Sequence, residues 1–218
     1  LFVFSDYNKG SLSNIKSMID FLIKNDKKNI LIDPRKKDFT CYSHSFLMTP
    51  NKREFLNYIN VTNFDDRAIE LGFECIKKLK LKYLLITLGE NGMVLLNSNN
   101  KKTLIKANAD EVFDVSGAGD TVIASLAFCL ANSISILNAV KFSNMTAGIV
   151  VGKQGTSIIN KKDIKINNDS NSKATKTQKK RNVFENLSIN IGRKHSVSPI
   201  ELITLINRIT KTNDVEIG

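Results

Sequence analysis

Short apolar runs that end in polar residues or glycine alternate with helical patterns along residues 1–151, and this alternation constrains the fold most. Apolar positions spaced three and four apart predict helices, and short runs rich in branched and aromatic residues predict strands. The predicted strands cover 1–5, 30–32, 45–48, 83–88, 93–96 and 103–105, and the predicted helices cover 11–25, 68–79, 119–131 and 136–151. A further helix is predicted to start with Thr49 as its cap and Pro50 in its first position. This order predicts an α/β fold with a mainly parallel central sheet covered on both faces.

Several polar residues follow directly after the predicted strands. They are Asp6, Asp33, Thr49, Gly89 and the turn at Gly117. Ligands of open α/β sheets bind outside the carboxyl ends of the strands. We therefore expect these residues to gather at one rim of the sheet and to form a binding site there.

Residues 114–121 read DVSGAGDT and lead straight into an apolar helical pattern over 122–130. Gly117 and Gly119 allow backbone conformations that let a ligand approach closely. The helix start presents unpaired N–H groups and a partial positive charge, which suits an anion such as phosphate. Asp120 lies where the turn becomes the helix. From these residues alone it is either a base beside an anion site or a helix cap.

The net charge of +11 is unevenly distributed. Residues 160–181 contain eight basic and two acidic residues among repeated Asn and Ser, which is typical of a solvated linker. A linker is therefore the stronger interpretation of this segment. Nucleic-acid binding is the weaker one, since the sequence lacks aromatic residues among the basic ones on which bases could stack.

Three cysteines share no metal-type spacing, and Cys75 and Cys129 fall within helical patterns, which predicts buried reduced thiols and a cytoplasmic protein. No run approaches the roughly 20 apolar residues of a membrane span. The chain opens inside a strand-like pattern, so we expect the start of its domain to lie before Leu1.

The DVSGAGDT segment resembles the D-[TV]-[TS]-G-A-G-D motif of the ribokinase-like (PfkB-type) carbohydrate kinases. Further segments narrow the resemblance to the kinase half of the bacterial bifunctional heptose 7-phosphate kinase and heptose 1-phosphate adenylyltransferase family. In the same order as in that family they are SDYNKG (5–10), DPR (33–35), TPNKRE (49–54), TLGENGM (87–93) and GIVVGKQGT (148–156).

The resemblance implies a three-layer ribokinase-like fold, truncated here at its N-terminal side. It also implies transfer of a phosphoryl group from ATP to the anomeric hydroxyl of D-glycero-β-D-manno-heptose 7-phosphate. The product is the 1,7-bisphosphate, on the way to ADP-heptose and the lipopolysaccharide core. The implied partners are ATP, Mg²⁺ and the sugar phosphate, and the family leaves room for a monovalent cation and a homodimer.

Carried over by position, Asp120 is the general base for the sugar hydroxyl, and the backbone N–H groups of Gly117, Ala118 and Gly119 form the anion hole. Asn51 and Glu54 match the N-x-x-E motif that organises Mg²⁺ and phosphates, with Glu54 acting through water. A capping arrangement at the start of a helix is the alternative for this pair.

Three residues, Thr87, Gly89 and Gly92, match the nucleotide-side loop, for which an ordinary strand-end turn is the alternative. Asn144 and Lys153 border the adenine in this interpretation. Lys153 is equally well explained as a solvated cation at a helix C-terminus.

Asp6 and Lys9 are expected to face the sugar phosphate, unless they form a plain surface turn.

The chain also departs from the family. Sugar-binding strands and a Gly-Gly motif are absent before Leu1, no H-x-G-H of the adenylyltransferase is present, and the VSPIEL segment at 197–202 follows a polar insertion. We therefore predict part of a kinase domain (1–159), a linker (160–195) and a short helical segment (196–218), with poor activity of this piece alone. The alternatives are a kinase for ribose or fructose, or a non-catalytic remnant whose basic segment binds anionic partners.

Overall fold

In a computed structural model of the chain, which describes residues 1–107 and 114–152, six strands form one sheet in chain order. The strands are β1 (Phe2–Ser5), β2 (Ile30–Asp33), β3 (Leu47–Met48), β4 (Tyr83–Thr87), β5 (Met93–Asn97) and β6 (Lys102–Ile105). Strands β1 to β4 run parallel, and β5 and β6 return antiparallel. The predicted α/β class with a mainly parallel sheet is confirmed.

Helices cover both faces of this sheet. They are α1 (Ile15–Lys24), α2 (Lys52–Ile59), α3 (Asp66–Leu79), α4 (Ala118–Ala131) and α5 (Ile136–Val151). Side chains alternate between faces along a strand, so Ile30 and Ile32 pack with α1, α2 and α3, while Leu31 packs with α4 and α5. Every helix therefore buries its apolar side against the sheet, which explains why the strands read as nearly continuous apolar runs.

The predicted start of the helix after β3 is wrong. Asn51, not Thr49, is the N-cap, and α2 begins at Lys52. The Asn51 side chain accepts a hydrogen bond from the Glu54 N–H, and the Glu54 carboxylate accepts one from the Asn51 N–H, both at 2.9 Å. This capping box satisfies two N-terminal amides that have no carbonyl partner within the helix. The Thr49 N–H instead extends the β-ladder by donating to the Ile32 carbonyl at 2.9 Å.

Strand β1 is an edge strand, pairing with β2 alone within the described ranges. Its apolar residues Phe2 and Val3 are 37% and 40% exposed. An unpaired apolar edge promotes association with other strands.

All three cysteines lie in the described part of the chain and are free, with Cys75 and Cys129 buried as predicted. Burial raises the pKa of each of these two thiols to about 12. Among residues 1–107 and 114–152, no helix has the length and apolar character needed to cross a membrane. The predicted segments 160–195 and 196–218 lie outside the described residues.

Candidate active site

The carboxyl ends of β1 to β4 bring their following residues to one rim of the sheet, and α4 begins beside them. Thr87 forms a bridge with Asn51, the Ser5 hydroxyl donates to Asp33 at 3.3 Å, and Tyr7 reaches Asp120 on α4. These contacts place Asp33 and Asp120 at this rim together with Tyr7 and Asn51. That all the residues expected there form one binding site stays a prediction.

Asp120 lies in the first turn of α4 with an exposed side chain. The N-cap of this helix is Gly117, in the left-handed conformation (φ +79°, ψ 0°), and no side chain caps the helix. The capping alternative for Asp120 is therefore wrong. Its Oδ1 instead accepts a hydrogen bond from the Tyr7 hydroxyl at 2.6 Å, so the carboxylate faces the rim.

The glycine turn before α4 leaves open space for a ligand. A Cβ built at Gly117 or Gly119 would meet no heavy atom of the described residues within 4 Å. The Ala118 N–H is donated to the Val115 carbonyl at 3.2 Å. The Gly119 N–H lies in the first helical turn, where amides have no partner within the helix. In this conformation the open space at Gly117 and Gly119 is where an anion can approach the helix start.

Acidic residues are concentrated at the rim around Asp33. Burial, followed by the negative charge of Glu54, raises the pKa of Asp33 from 3.8 to about 6, while Arg35 and the Ser5 hydroxyl oppose the rise. Arg35 donates to the second oxygen of Glu54 at 2.8 Å. The rim therefore combines three carboxylates, Asp33, Glu54 and Asp120, with one guanidinium.

The fit of Mg²⁺ to this rim can be judged from Glu54. Both of its oxygens are occupied, one by the Asn51 N–H and one by Arg35. Within 1–107 and 114–152, no three His, Cys, Asp or Glu residues are grouped so that they could hold a metal directly. Mg²⁺ usually keeps several waters and is bound by one or two carboxylates together with substrate phosphates. The structure thus shows the capping alternative for Asn51 and Glu54, and a contact of Glu54 with a phosphate-bound magnesium ion through water stays a prediction.

A cavity of about 530 Å³ opens next to the glycine turn, between the β4–β5 connection and the helices α4 and α5. Among its lining residues are Thr87, Gly89, Gly92, Gly119 and Asn144. The Asn144 side-chain amide is buried and donates to the Lys106 carbonyl at 2.8 Å. The volume of this cavity lies within the usual range of small-molecule sites. Thr87, Gly89, Gly92 and Asn144 thus line one cavity with part of the glycine turn. Asn51 and Glu54 do not line it, and Lys153 lies outside the described residues.

Asp6 and Lys9 occupy the turn after β1. The Asp6 carboxylate is 3% exposed and accepts hydrogen bonds from the Tyr42 hydroxyl and the Asn8 N–H, both at 2.7 Å, with Lys36 at 3.8 Å. In this structure Asp6 therefore anchors the turn, while Lys9 is exposed. Their contact with a sugar phosphate stays a prediction.

Tyr7 and Arg35 were not predicted as site residues, although both lie in segments that resemble the heptose kinase family. The available signal was their position directly after β1 and β2, at the carboxyl ends of parallel strands. Their partners Asp120 and Glu54 are set by tertiary contacts, which no local pattern indicates.

Comparison with known proteins identifies the family. Residues 11–163 match the family described as pfkB family carbohydrate kinase. The chain belongs to the pfkB family of carbohydrate kinases. The kinases of this family use ATP.

Two curated relatives share the name "Bifunctional protein HldE". The protein from Proteus mirabilis is 44% identical over 157 residues, which is 72% of this chain and 33% of that protein. The protein from Haemophilus influenzae is 42% identical over the same shares. The chain thus spans about a third of the length of the curated relatives that it matches.

Solved structures share the fold at lower identity. Ribokinase from Giardia lamblia is 23% identical with a TM-score of 0.61, covering 71% of this chain and 55% of that protein. Phosphofructokinase-2 from Escherichia coli, in complex with potassium, is 18% identical with a TM-score of 0.63, covering 74% and 53%. Arabidopsis thaliana ribokinase, complexed with ribose and ATP, is 21% identical with a TM-score of 0.56, covering 65% and 48%. The expected ribokinase-like fold is confirmed.

Proposed function

We propose that this chain supplies the nucleotide-binding and catalytic-base half of a heptose 7-phosphate kinase. The reaction transfers the γ-phosphoryl group of ATP to the anomeric hydroxyl of heptose 7-phosphate and gives the 1,7-bisphosphate, in the cytoplasm, for ADP-heptose and lipopolysaccharide core synthesis. The observation that carries this proposal is the exposed Asp120 carboxylate, which lies at a glycine-lined helix start next to the cavity.

In this mechanism Asp120 accepts the proton of the anomeric hydroxyl as that oxygen bonds to the γ-phosphorus. The bond from the γ-phosphorus to the bridging oxygen breaks, and ADP leaves with the electron pair. A positioned base typically contributes about 10²–10⁴-fold to the rate. Asp120 suits this role because its carboxylate is exposed at the rim and outside the capping interactions of α4.

The start of α4 is proposed to stabilise the charge on the transferring phosphoryl group. Gly117 and Gly119 leave open space there, and the helix dipole favours an anion in that position. An amide that stabilises such a charge is worth roughly 10²–10³-fold in rate. Ala118 joins this anion hole only if its N–H leaves the Val115 carbonyl.

The cavity lined by Thr87, Gly89, Gly92 and Asn144 is proposed to hold the nucleotide, with its phosphates toward Gly119. A magnesium ion held by the phosphates, with Glu54 contacting it through water, would neutralise part of their charge. Asn51 and Glu54 are proposed to orient this end of the site. Their capping box fixes both side chains on the first turn of α2, and Arg35 holds the remaining Glu54 oxygen.

The substrate assignment is supported by the ordered segments of the heptose kinase family and by 40–44% identity to the curated relatives. Solved sugar kinases of the same fold are less similar, at 17–24% identity. A panel of heptose 7-phosphate, ribose and fructose 6-phosphate tests the assignment in protein expressed from the complete coding sequence. Preference for ribose or fructose 6-phosphate in kcat/KM would contradict it.

The base role is tested with Asp120→Asn, prepared in the same protein. We expect kcat to fall by about 10²–10⁴-fold with ATP affinity unchanged, because the nucleotide cavity is intact. Asp20→Asn is the matched control, since its exposed carboxylate contacts Lys16 on the surface of α1, and it should retain full activity. Wild-type turnover by Asp120→Asn would refute the proposed mechanism.

A further inference from the structure

Tyr7 and Asp120 are 113 positions apart in the chain, yet the Tyr7 Oη lies 2.6 Å from the Asp120 Oδ1. The contact joins the residues after β1 to the first turn of α4. An ionised carboxylate only accepts hydrogen bonds, so the phenol is the donor. Short O–H···O⁻ bonds of this length are roughly twice as strong as neutral ones.

The fold fixes the direction of the Tyr7 side chain. The Asp6 N–H extends the β1–β2 ladder by donating to the Asp33 carbonyl at 2.9 Å. The Asp6 carboxylate is buried against Tyr42, on the face covered by α1, α2 and α3. Neighbouring side chains of an extended segment point to opposite faces. Tyr7 therefore points to the other face, where α4 begins.

The backbone on the C-terminal side of Tyr7 is fixed as well. The Asn8 N–H donates to the Asp6 carboxylate at 2.7 Å, and Asn8 adopts the left-handed conformation with φ +54°. Asn tolerates this conformation better than most residues. The backbone of Tyr7 is thus held between a ladder bond and a tight turn, so its phenol is presented by an ordered segment although 51% of the residue is exposed.

Asp120 has no comparable anchor in its own helix. No side-chain cap hydrogen bond is present at the start of α4, and the Asp120 carboxylate is exposed. An exposed carboxylate without a partner samples several rotamers. A base must lie within hydrogen-bonding reach of the proton that it removes, so its rotamer has to be selected by a neighbour.

We propose that Tyr7 is a positioning residue for Asp120. The Tyr7 hydroxyl holds Oδ1 of Asp120 and leaves Oδ2 directed toward the sugar hydroxyl. The inference rests on the proposed kinase function, because it assigns Tyr7 a part in that reaction. Tyr7 itself removes no proton and binds no nucleotide. Its contribution is to keep the carboxylate of the base in one orientation.

The kinetic test is Tyr7→Phe in protein expressed from the complete coding sequence. Loss of one hydrogen bond to a charged group should lower kcat about tenfold and leave the KM for ATP unchanged, because Tyr7 does not line the cavity. Tyr83→Phe is the matched control. Its ring lies at the start of β4 against Phe46, with centroids 5.2 Å apart, and the variant should keep the wild-type kcat. An unchanged kcat in Tyr7→Phe, or an equal rise in the KM for ATP, would overturn the proposal.

The contact itself is tested without turnover, by NMR of tyrosine labelled with ¹³C at Cζ. The Tyr7 signal is assigned by its loss in Tyr7→Phe. The hydrogen bond to the Asp120 carboxylate, more than burial, raises the pKa of the Tyr7 phenol, so Asp120→Asn should lower that pKa. If the pKa of the Tyr7 phenol were the same in Asp120→Asn as in the wild type, the positioning role would be overturned, while the kinase assignment would stand. Full turnover by Asp120→Asn would instead refute the proposed function.

Discussion

Replacement of Asp33 by Asn should make the protein more stable at neutral pH. Asp33 is the last residue of β2 and is half-buried at the rim. Burial raises its pKa from 3.8 to about 6, and the neighbouring charge of Glu54 adds to this. A carboxyl group with a raised pKa in the folded state binds its proton more tightly when folded. Its stabilising contribution is therefore fully present below pH 3.8 and is lost as the pH rises through about 6.

The magnitude follows from the difference between the two pKa values. Each pH unit corresponds to about 1.4 kcal/mol, so ionisation of Asp33 removes up to about 3 kcal/mol of folding free energy by pH 8. Partial exposure reduces this value, and we expect about 1–3 kcal/mol. Asn resembles the protonated acid in shape, and its side-chain oxygen still accepts from the Ser5 hydroxyl. Asp33→Asn should match the wild type at pH 4 and exceed it by this amount at pH 8.

Urea denaturation at pH 4 and pH 8, analysed by linear extrapolation, measures the difference. Asp20→Asn again serves as the control. Loss of the exposed ion pair between Asp20 and Lys16 should change the free energy of unfolding by less than about 0.5 kcal/mol at either pH. An equal gain for Asp33→Asn at both pH values, or a loss of stability at pH 8, would refute the electrostatic argument.

Two further substitutions test the framework of the site. Gly92 has φ +84°, and a Cβ there would collide with the backbone at Ile105 and Ala107, so Gly92→Ala should lower the free energy of unfolding by more than about 2 kcal/mol. A urea midpoint within error of the wild type would contradict this. Asn51→Ala removes the N-cap of α2 and should destabilise by about 1 kcal/mol, read from the same denaturation curves. An Asn51→Ser variant, which keeps a capping oxygen, should restore most of the loss, and failure to do so would argue against the capping box with Glu54.

Local patterns in the sequence determined most of the secondary structure. The predicted helix at Ile136–Val151 is confirmed residue for residue, and the predicted helix 119–131 begins one residue earlier, at Ala118. Long apolar runs identify these two helices, because α4 and α5 pack against each other as well as against the sheet and bury most of their surface. Boundaries set by side-chain capping were less accessible. Thr49-Pro50 reads as a good helix start, but the reciprocal bonds of Asn51 and Glu54 place it later.

The sequence alone also placed the polar residues at one rim, because strands of a parallel sheet end on the same side. It did not determine which side chains meet there. The pairs Tyr7–Asp120 and Arg35–Glu54 depend on strand order, on strand register and on where each helix begins relative to the strand ends. The raised pKa of Asp33 likewise depends on burial and on charges from distant segments. These are properties of the folded chain, because they arise from contacts between residues whose proximity no local pattern encodes.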